Sequence, residues 1–434
     1  MATAAIRASA TSEVRDRTIR KLNMRIVLFA FICFMVNYLD RANLGFAALH
    51  MNDDLGLTAQ MFGLGAGIFF IGYMAFEVPS NMMLHRFGPR VWIARIMVTW
   101  GIVSCCMALV TGPASFYILR FLLGIAEAGF APGVLLYLTY WFPKKERGRA
   151  AALFMTATVL SIVLGAPLSG WLIDASEGLF RLHGWQNMFI LEGVPAVLLG
   201  IFTLFYLIDR PENDTRWLAE DERRWLIAEL EAERREHGDD TRHSLREALS
   251  DGRVWLLTAV YMFYGIAVYG VLMWLPQIVR SLGDYTALQT GFISAIPFCF
   301  AAAGLVVLSR SSDRTGERKY HNVAAGVFGG LLLGLSALVA SPVLGLAILC
   351  VCAFFLWSYL GIFWTLPTQF MSGAAAAGGI AAINGFAQLG GFTGPYIVGF
   401  VRETTGSFQI ALLTLAIFPL IGAALLMTFR ARRD

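Results

Sequence analysis

Four charged side chains stand inside stretches that are otherwise apolar. Asp40 and Arg41 interrupt the run FMVNYLDRANLGFAAL, and Arg120 and Glu127 lie in FYILRFLLGIAEAGFAPG. A charge at the centre of a membrane costs at least about 2–3 kcal/mol, so such residues usually pair or line the path of an ion or polar substrate. The alternative is structural: Asp40 and Arg41 cap the first helix, or the four charges brace the helices around them.

The spacing of these residues predicts how they face on helices. Arg120 and Glu127 are separated by two helical turns and share a face, at a distance that an anion or water would have to bridge. Asp40 and Arg41 are adjacent and point about 100° apart. We therefore expect Asp40 to meet a residue of another helix instead of Arg41.

The elements that position these charges are membrane-spanning helices. Of the 434 residues, 57% are hydrophobic and 15% are charged, against about 25% charged in soluble domains. About twelve apolar runs of roughly 20 residues, long enough to cross the hydrocarbon core, follow one another from residue 26 to 429. The six cysteines fall within these runs and suit packing, with neither zinc-ligand nor disulfide-framework spacing. The sequence predicts an all-α membrane protein and shows no metal or nucleophile constellation of an enzyme.

Basic residues concentrate in alternate connections between the runs, which places both termini in the cytoplasm. The net charge of +4 reflects this topology and gives no indication of nucleic-acid binding. We predict a cytoplasmic tail at 1–25, a six-helix bundle at 26–208, a cytoplasmic linker at 209–252, a second bundle at 253–430 and a tail at 431–434. The linker is densely charged and should contain an amphipathic helix. We expect it to act as a tether outside the transport machinery.

The two predicted bundles are sequence repeats in parallel topology. One constant offset aligns Thr58 with Thr286, Gly63 with Gly291, and HRFGPR at 85–90 with DRTGER at 313–318. The same offset turns Asp40, Arg41, Arg120 and Glu127 into Val268, Tyr269, Ile348 and Phe355. The scaffold therefore does not need these charges, and the site should lie between two bundles near mid-membrane.

At this point a family resemblance becomes clear over nearly all of the transmembrane region. The motifs NYLDRANL, RFLLGIAEAGFAPG, YWFPKKERGRA, FWTLPTQF and INGFAQLGGFTGP resemble the anion:cation symporter family of the major facilitator superfamily. This resemblance implies two six-helix bundles that move organic anions with protons by alternating access. It also implies a multi-pass protein of the bacterial inner membrane.

The resemblance assigns roles to individual residues. It implies that Arg41 and Arg120 hold the substrate carboxylate, because a guanidinium offers a permanently charged fork. Asp40 and Glu127 would carry the coupling proton. Contacts to the rest of the ligand would come from Tyr38, Tyr73, Trp364, Asn384 and Gln388, although the last three also suit helix packing.

A second group of residues is expected to control gating in the connecting loops. It comprises Glu77, Arg86, Arg90, Arg147, Asp313, Arg314 and Arg318. Glu77 should pair with a basic loop residue, Arg147 or Arg149, at the cytoplasmic gate. His85 stands where the family usually has an acid that Asp313 keeps in the second copy, so the first-half contact should be weaker or rearranged.

We predict proton-coupled uptake of a small organic carboxylate, a tartrate-like dicarboxylate or sugar acid first, by a monomer without cofactor or metal. An aromatic acid such as phthalate or 4-hydroxyphenylacetate is the alternative, since Trp364 and Tyr73 could stack on a ring. A channel is disfavoured because the buried charges are confined to one half. A sensor built on the same fold is the remaining class.

Overall fold

A computed structural model describes residues 2–214, 216–237, 249–371 and 373–430. Secondary structure in those ranges is helical. Eleven helices there are long and apolar enough to cross a bilayer. A further long helix, Gly373–Thr405, packs against the second and seventh spans and completes the predicted number. The all-α prediction of twelve spans in two bundles is confirmed.

The first bundle begins with a helix at Ala2–Leu22, which continues through a π-helical turn into the first span. Its six spans are Leu28–Leu55, Ala59–Phe87, Pro89–Cys106, Pro113–Trp141 in two pieces, Lys144–Ala175 and Gly184–Tyr206. Local sequence sets several of these bounds. Pro89 and Pro113 occupy first-turn positions that need no N–H donor. Gly56 closes the first span in the left-handed conformation.

The second bundle repeats this plan after the helix Glu220–His237 of the linker. Its spans are Gly252–Arg280, Ala287–Thr315, Lys319–Leu338, Pro342–Phe363, Gly373–Thr405 and Phe408–Thr428. The second and eighth spans both have 29 residues and both start after a threonine cap, Thr58 or Thr286, which accepts a backbone N–H of the first turn. Both bounds of these two spans are related by the offset that relates Thr58 to Thr286, so the structural repeat follows the sequence repeat.

The fourth span is broken immediately after Glu127. Helix Pro113–Glu127 ends there, Ala128 is extended, and Gly129 has a φ of +87° before helix Phe130–Trp141 begins. Only glycine adopts that conformation without strain, and a Cβ on Gly129 would lie 2.5 Å from the Ser80 hydroxyl. The apolar run in the sequence did not predict this break. The break places Glu127 at the C-terminal end of a helix.

The linker helix Glu220–His237 docks on the first bundle. Glu222 accepts hydrogen bonds from Arg17 Nε and Lys21 Nζ of the N-terminal helix, each at 2.7 Å. Glu233 accepts the Lys144 N–H at 2.7 Å, and Trp217 stacks on Trp141. The segment that the sequence presents as a tether is therefore fastened at several points. We call the side of the bundles that carries the N-terminal helix and the linker helix the terminal face. The opposite side, where the first span ends at Leu55, is the far face.

The two bundles meet closely at the far face. The second span packs against the eleventh, the fifth against the eighth and the first against the seventh. Small residues allow this approach: a Cβ on Gly63 would lie 2.5 Å from the Pro395 carbonyl, and one on Gly291 would lie 2.4 Å from the Ala166 carbonyl. The far face is closed in this structure.

Candidate functional site

A buried ion pair links the first and fourth spans. Arg41 Nε donates to Glu127 Oε2 at 2.8 Å, and Asn37 Nδ2 donates to the same oxygen at 3.0 Å. Glu127 is 0% exposed and Arg41 is 7% exposed. A buried pair of this kind gains little net stability, because removing two charges from water costs nearly as much as their attraction returns. The burial of this ion pair is therefore weak evidence for a purely stabilising role.

The remaining hydrogen-bonding capacity of the pair is available for a ligand or proton. Glu127 engages only the Nε edge of the guanidinium, so its Nη groups are not used by that carboxylate. Among the described residues, Glu127 Oε1 and Asn37 Oδ1 are buried without a hydrogen-bond partner. Buried polar atoms nearly always have a hydrogen-bond partner in folded proteins, so these two exceptions are candidates for a functional role.

Aromatic rings surround Arg41. Its guanidinium carbon lies 4.9 Å from the Tyr73 ring, 5.2 Å from Phe69 and 5.3 Å from Tyr38. Such contacts stabilise a cation without a negative partner. Tyr38 and Tyr73, predicted as ligand donors, are thus placed beside Arg41.

Arg120 has a different environment from Arg41. Its Nε and Nη2 donate to the carbonyls of Gly65 and Ala66 on the second span, at 3.3 and 3.4 Å, and its guanidinium lies 4.9 Å from Phe69. Glu127 is instead held by Arg41 of the first span. An anion or water bridge between Arg120 and Glu127 remains a prediction. Substrate contact by Arg120 remains a prediction.

Asp40 faces away from Arg41, as its helical position predicted. Its Oδ2 accepts the Trp100 indole N–H at 2.6 Å, and its Oδ1 accepts the Ser104 hydroxyl at 2.9 Å, both from the third span. Asn43 Nδ2 lies 3.4 Å from Asp40 Oδ1 and donates to Glu192 Oε2 at 2.7 Å. Asp40 therefore belongs to a polar network inside the first bundle.

The polar residues Asn37, Asn43 and Glu192 belong to these clusters and were not predicted from the sequence. Each is buried to within 2% exposure. Asn37 and Asn43 lie in the very motif that drew attention to Asp40, at positions that place them one turn from its charges. Glu192 was detectable too, as an acid inside the sixth apolar run.

The second bundle contributes aromatic and amide groups. Trp364 is half-buried and its ring lies 5.0 Å from Tyr261, which also neighbours Tyr359 at 5.4 Å. Asn384 and Gln388 are half-buried on the eleventh span, one turn apart. Tyr269 of the seventh span reaches across to Phe70 of the first bundle, with ring centroids 4.5 Å apart. We call Tyr261, Tyr269, Tyr359 and Trp364 the aromatic wall.

Glu77 has a different partner from the one predicted. Its Oε1 accepts from Asn384 Nδ2 at 2.7 Å across the bundle interface, and it is 7% exposed. Arg147, one of the two expected partners, instead contacts the Phe142 carbonyl and lies 3.6 Å from Glu233 of the linker helix. Arg149, the other expected partner, is exposed. The burial of Glu77 and the docking of the linker, neither visible in loop charges, explain the difference.

The other predicted gating residues lie at the terminal face. Arg318 pairs with Asp313, and the Arg90 N–H donates to Asp209. Arg86 stacks on its neighbour Phe87, and Arg314 is exposed. His85 lies 3.3 Å from the Tyr140 hydroxyl, where the second copy has the Asp313–Arg318 ion pair. Their gating role stays a prediction.

Two carboxylates join the bundles at the far face. Asp174, at the end of the fifth span, accepts the Ala287 and Leu288 N–H groups that begin the eighth span, at 3.3 and 2.8 Å. Glu403, near the end of the eleventh span, accepts the Ala59 N–H that begins the second span, at 2.9 Å. Each acid lies at a helix N-terminus, where negative charge is favoured. We call them the far-face caps.

Two repeated six-helix bundles that meet on one face are the architecture of many membrane transporters. Residues 30–395 match the Major Facilitator Superfamily, and the chain belongs to that family. The predictions of a transporter and not an enzyme, and of a multi-pass inner-membrane protein, are confirmed at this level.

Relatives and a solved structure support the assignment. A protein of Agrobacterium vitis named "Putative tartrate transporter" is 47% identical, covering 96% of this chain and 92% of its own. A "Quinolone resistance transporter" of Acinetobacter baumannii is 43% identical, covering 94% and 93%. A bacterial homologue of the lysosomal transporter Spinster, solved inward-facing and occupied, superposes with a TM-score of 0.77 at 15% identity, covering 93% and 95%.

Proposed function

We propose that this protein takes up a small organic carboxylate together with protons by alternating access. The observation that carries the proposal is the Arg41–Glu127 ion pair, buried at the centre of a bundle whose twin has tyrosine and phenylalanine at the same positions. In an arrangement of this kind the arginine can exchange its internal carboxylate for the carboxylate of a substrate.

The coupling follows from that competition. While Glu127 is ionised it occupies the Nε edge of Arg41 and disfavours a second anion nearby. Protonation of Glu127 weakens the ion pair and frees the guanidinium for a substrate carboxylate, which fits its planar fork. By linkage, the bound anion in turn favours the protonated state of Glu127. Asp40 remains our second candidate for a coupling group.

The charged loops support an orientation of the protein in the membrane. If the positive-inside rule holds, the terminal face is cytoplasmic. The closed far face would then be periplasmic. Opening of the far-face caps would admit the substrate from outside.

The substrate class is supported by the arginine and by the relatives. A guanidinium favours carboxylates over neutral sugars, and the tartrate name of the Agrobacterium vitis relative makes a small hydroxylated dicarboxylate our first choice. An aromatic carboxylate is the second candidate. The aromatic wall opposite the arginine favours it, because rings stack on tyrosine and tryptophan.

The decisive experiment compares Glu127→Gln with wild type in proteoliposomes. Glutamine imitates the protonated acid, so carboxylate counterflow should persist while accumulation driven by an imposed pH gradient is lost. Glu231→Gln, on the exposed face of the linker helix, is the matched control and should keep both activities. Gradient-driven accumulation at wild-type level in Glu127→Gln would refute Glu127 as the coupling group.

The same assay separates the competing classes of protein. Wild type should accumulate tartrate or an aromatic acid above its equilibrium concentration. A channel would only equilibrate the anion, and a sensor would bind it without net flux.

A further inference from the structure

Glu77 of the second span brings one unused oxygen to the interface between the bundles. Its Oε1 accepts the Asn384 amide of the eleventh span at 2.7 Å. Its Oε2 is buried without a hydrogen-bond partner among the described residues, and the residue is 7% exposed. A Cβ built on Gly385 would lie 3.9 Å from that oxygen and within 4 Å of no other atom outside its own helix. Oε2 therefore points across the interface to a position where the eleventh span carries no side chain.

The fold does not require a carboxyl group at this position. The offset of the sequence repeat replaces Glu77 with Leu305 of the eighth span. A buried polar atom without a partner lowers the stability of a folded protein, and such atoms are rare. Folding alone therefore does not account for Oε2, whereas a molecule that enters between the bundles could supply its missing partner.

Glu77 lies close to the groups that we assign to the substrate. Tyr73 is one helical turn away on the same face of the second span, and its ring lies 4.9 Å from the Arg41 guanidinium. Four residues of helix correspond to a rise of about 6 Å. Arg41 and Tyr261 of the aromatic wall are both near enough to interact with a charge on Glu77. The unused oxygen thus lies about one turn from the level of Arg41, towards the terminal face.

A hydroxyl group suits Glu77 Oε2 in either protonation state. An ionised carboxyl group only accepts hydrogen bonds, whereas a protonated one can also donate. A hydroxyl group can donate to the first and accept from the second. An ammonium group suits only the ionised form, and a second carboxylate suits only the protonated form. A site built around such a hydrogen bond rejects ligands that lack the hydroxyl, because they leave a buried polar group unpaired.

We propose that Glu77 is a specificity-determining residue whose Oε2 binds a hydroxyl group of the substrate. The site then prefers a hydroxylated acid to the same acid without the hydroxyl group. This assignment rests on the proposed function, since it assumes that Arg41 binds the substrate carboxylate. Both candidate substrate classes offer a matched pair of acids: tartrate with succinate, and 4-hydroxyphenylacetate with phenylacetate. Phthalate, which has no hydroxyl group, becomes the poorer aromatic candidate.

The test measures binding of these four acids to the purified full-length protein in lipid nanodiscs by isothermal titration calorimetry. In at least one pair, wild type should bind the hydroxylated acid at least about tenfold more tightly than its partner. Glu77→Leu, which introduces the residue of the twin bundle, should bring that ratio close to one. Glu77→Gln keeps an acceptor for Asn384 but loses the carboxyl oxygen, so its ratio should fall between the two.

Two checks make these ratios interpretable. Thermal unfolding shows whether each variant is folded, and Glu77→Gln carries the test if Glu77→Leu does not fold. Glu231→Gln, on the exposed face of the linker helix, should keep the wild-type ratio. If the Glu77–Asn384 contact only joins the bundles, Glu77→Gln should weaken binding of both acids of a pair equally.

The outcomes separate this inference from the proposed function. A wild-type ratio near one in both pairs, or a wild-type ratio retained in folded Glu77→Gln, would overturn the role of Glu77 and leave carboxylate transport standing. Wild type that discriminates within a pair but never accumulates the acid in proteoliposomes under a pH gradient would refute the proposed function and leave the role of Glu77 intact. Wild type that binds none of the four acids would overturn both.

Discussion

The two buried arginines of the first bundle, Arg41 and Arg120, have different partners. Arg41 is held by a carboxylate and three aromatic rings, whereas Arg120 is held by the carbonyls of Gly65 and Ala66. Carbonyl groups carry no net charge, so these hydrogen bonds leave the positive charge of Arg120 without a carboxylate partner. It can therefore attract an anion even while Arg41 is paired.

Arg120→Lys should reduce carboxylate uptake by at least about tenfold although the charge is kept. A lysine ammonium is a compact donor that cannot place two hydrogen bonds in the plane of a guanidinium, and each bond of a charged donor is worth about 1.5–3 kcal/mol. Uptake is measured on equal amounts of inserted protein. Arg224→Lys on the linker surface is the control, and wild-type uptake by Arg120→Lys would mean that charge alone suffices.

The sequence revealed the charged residues of the site but not their pairing. Asp40, Arg41, Arg120 and Glu127 stand out because each violates an apolar run. Which arginine meets Glu127 depends on how the first and fourth spans pack, and one sequence carries no such distance. Asn37 and Asn43 were hidden because asparagine is ordinary in membrane helices, and its function there depends on the groups it faces.

At the scale of helices, docking of the linker helix on the N-terminal helix should depend on pH. Burial of Glu222 raises its pKa, but hydrogen bonds from Lys21, the Ala219 N–H and Arg17 outweigh this, so the pKa of Glu222 is lowered. A lowered pKa means that docking is fully favoured above the pKa of a free glutamate, about 4.3. Docking weakens as the pH falls through the lower pKa of the docked state.

Glu222→Gln should loosen the contact between the linker helix and the N-terminal helix at neutral pH, although Arg17 keeps its ion pair with Asp221. Glutamine cannot pair with Arg17 and Lys21 as an anion, so both ion pairs are lost. Spin labels at the exposed positions Glu13 and Arg224 would report a longer and broader distance distribution. Glu231→Gln, which removes only a pair within the linker helix, should leave that distance unchanged. An unaltered distance in Glu222→Gln would show that other contacts hold the linker.

The sequence predicted where the membrane-spanning helices lie better than it predicted where they break or which helices they contact. The twelve spans follow from runs of apolar residues, and the repeat offset matches the second and eighth spans to the residue. The break after Glu127 was not predicted, because Ala128 and Gly129 do not interrupt the hydrophobicity. Docking of the linker was not predicted either, since its acidic face reads as solvated until the basic N-terminal helix is placed beside it.

For the molecule as a whole, the far-face caps would stabilise one of the two states of the alternating-access cycle that we propose. Each cap holds the N-terminus of a helix in the other bundle, so both must break when the far face opens. A carboxylate at a helix N-terminus is worth about 0.3–1 kcal/mol at a surface and up to about 2 kcal/mol when partly buried.

Asp174→Asn should make the far face open more often, by about fivefold if the cap is worth about 1 kcal/mol. Labelling of a single cysteine at Gln277, in a background without the six native cysteines, measures that opening. Gln277 lies at the interface opposite Asn52. The control is Asp284→Asn, an exposed acid in the connection between the seventh and eighth spans. Equal labelling rates in the two variants would show that Asp174 does not hold the closed state.

The repeat indicated the two-bundle architecture, and the sequence also showed that the charges belong to one bundle. It did not show which face is closed. That state depends on close approaches between glycines and carbonyls of different bundles, such as Gly63 with Pro395, whose partners lie in opposite halves of the chain.

The aromatic wall and the ion pair lie on separate halves of a duplicated chain. Random changes at Tyr261, Tyr359 and Trp364 would therefore explore new ligands without touching Arg41 or Glu127, the pair to which we assign coupling. Directed evolution confined to the second half should yield variants that concentrate new acids, while the same mutational load in the first half should mostly yield inactive ones. After duplication of an ancestral bundle, the second half could then have changed its ligand contacts while the first half kept the residues to which we assign proton coupling.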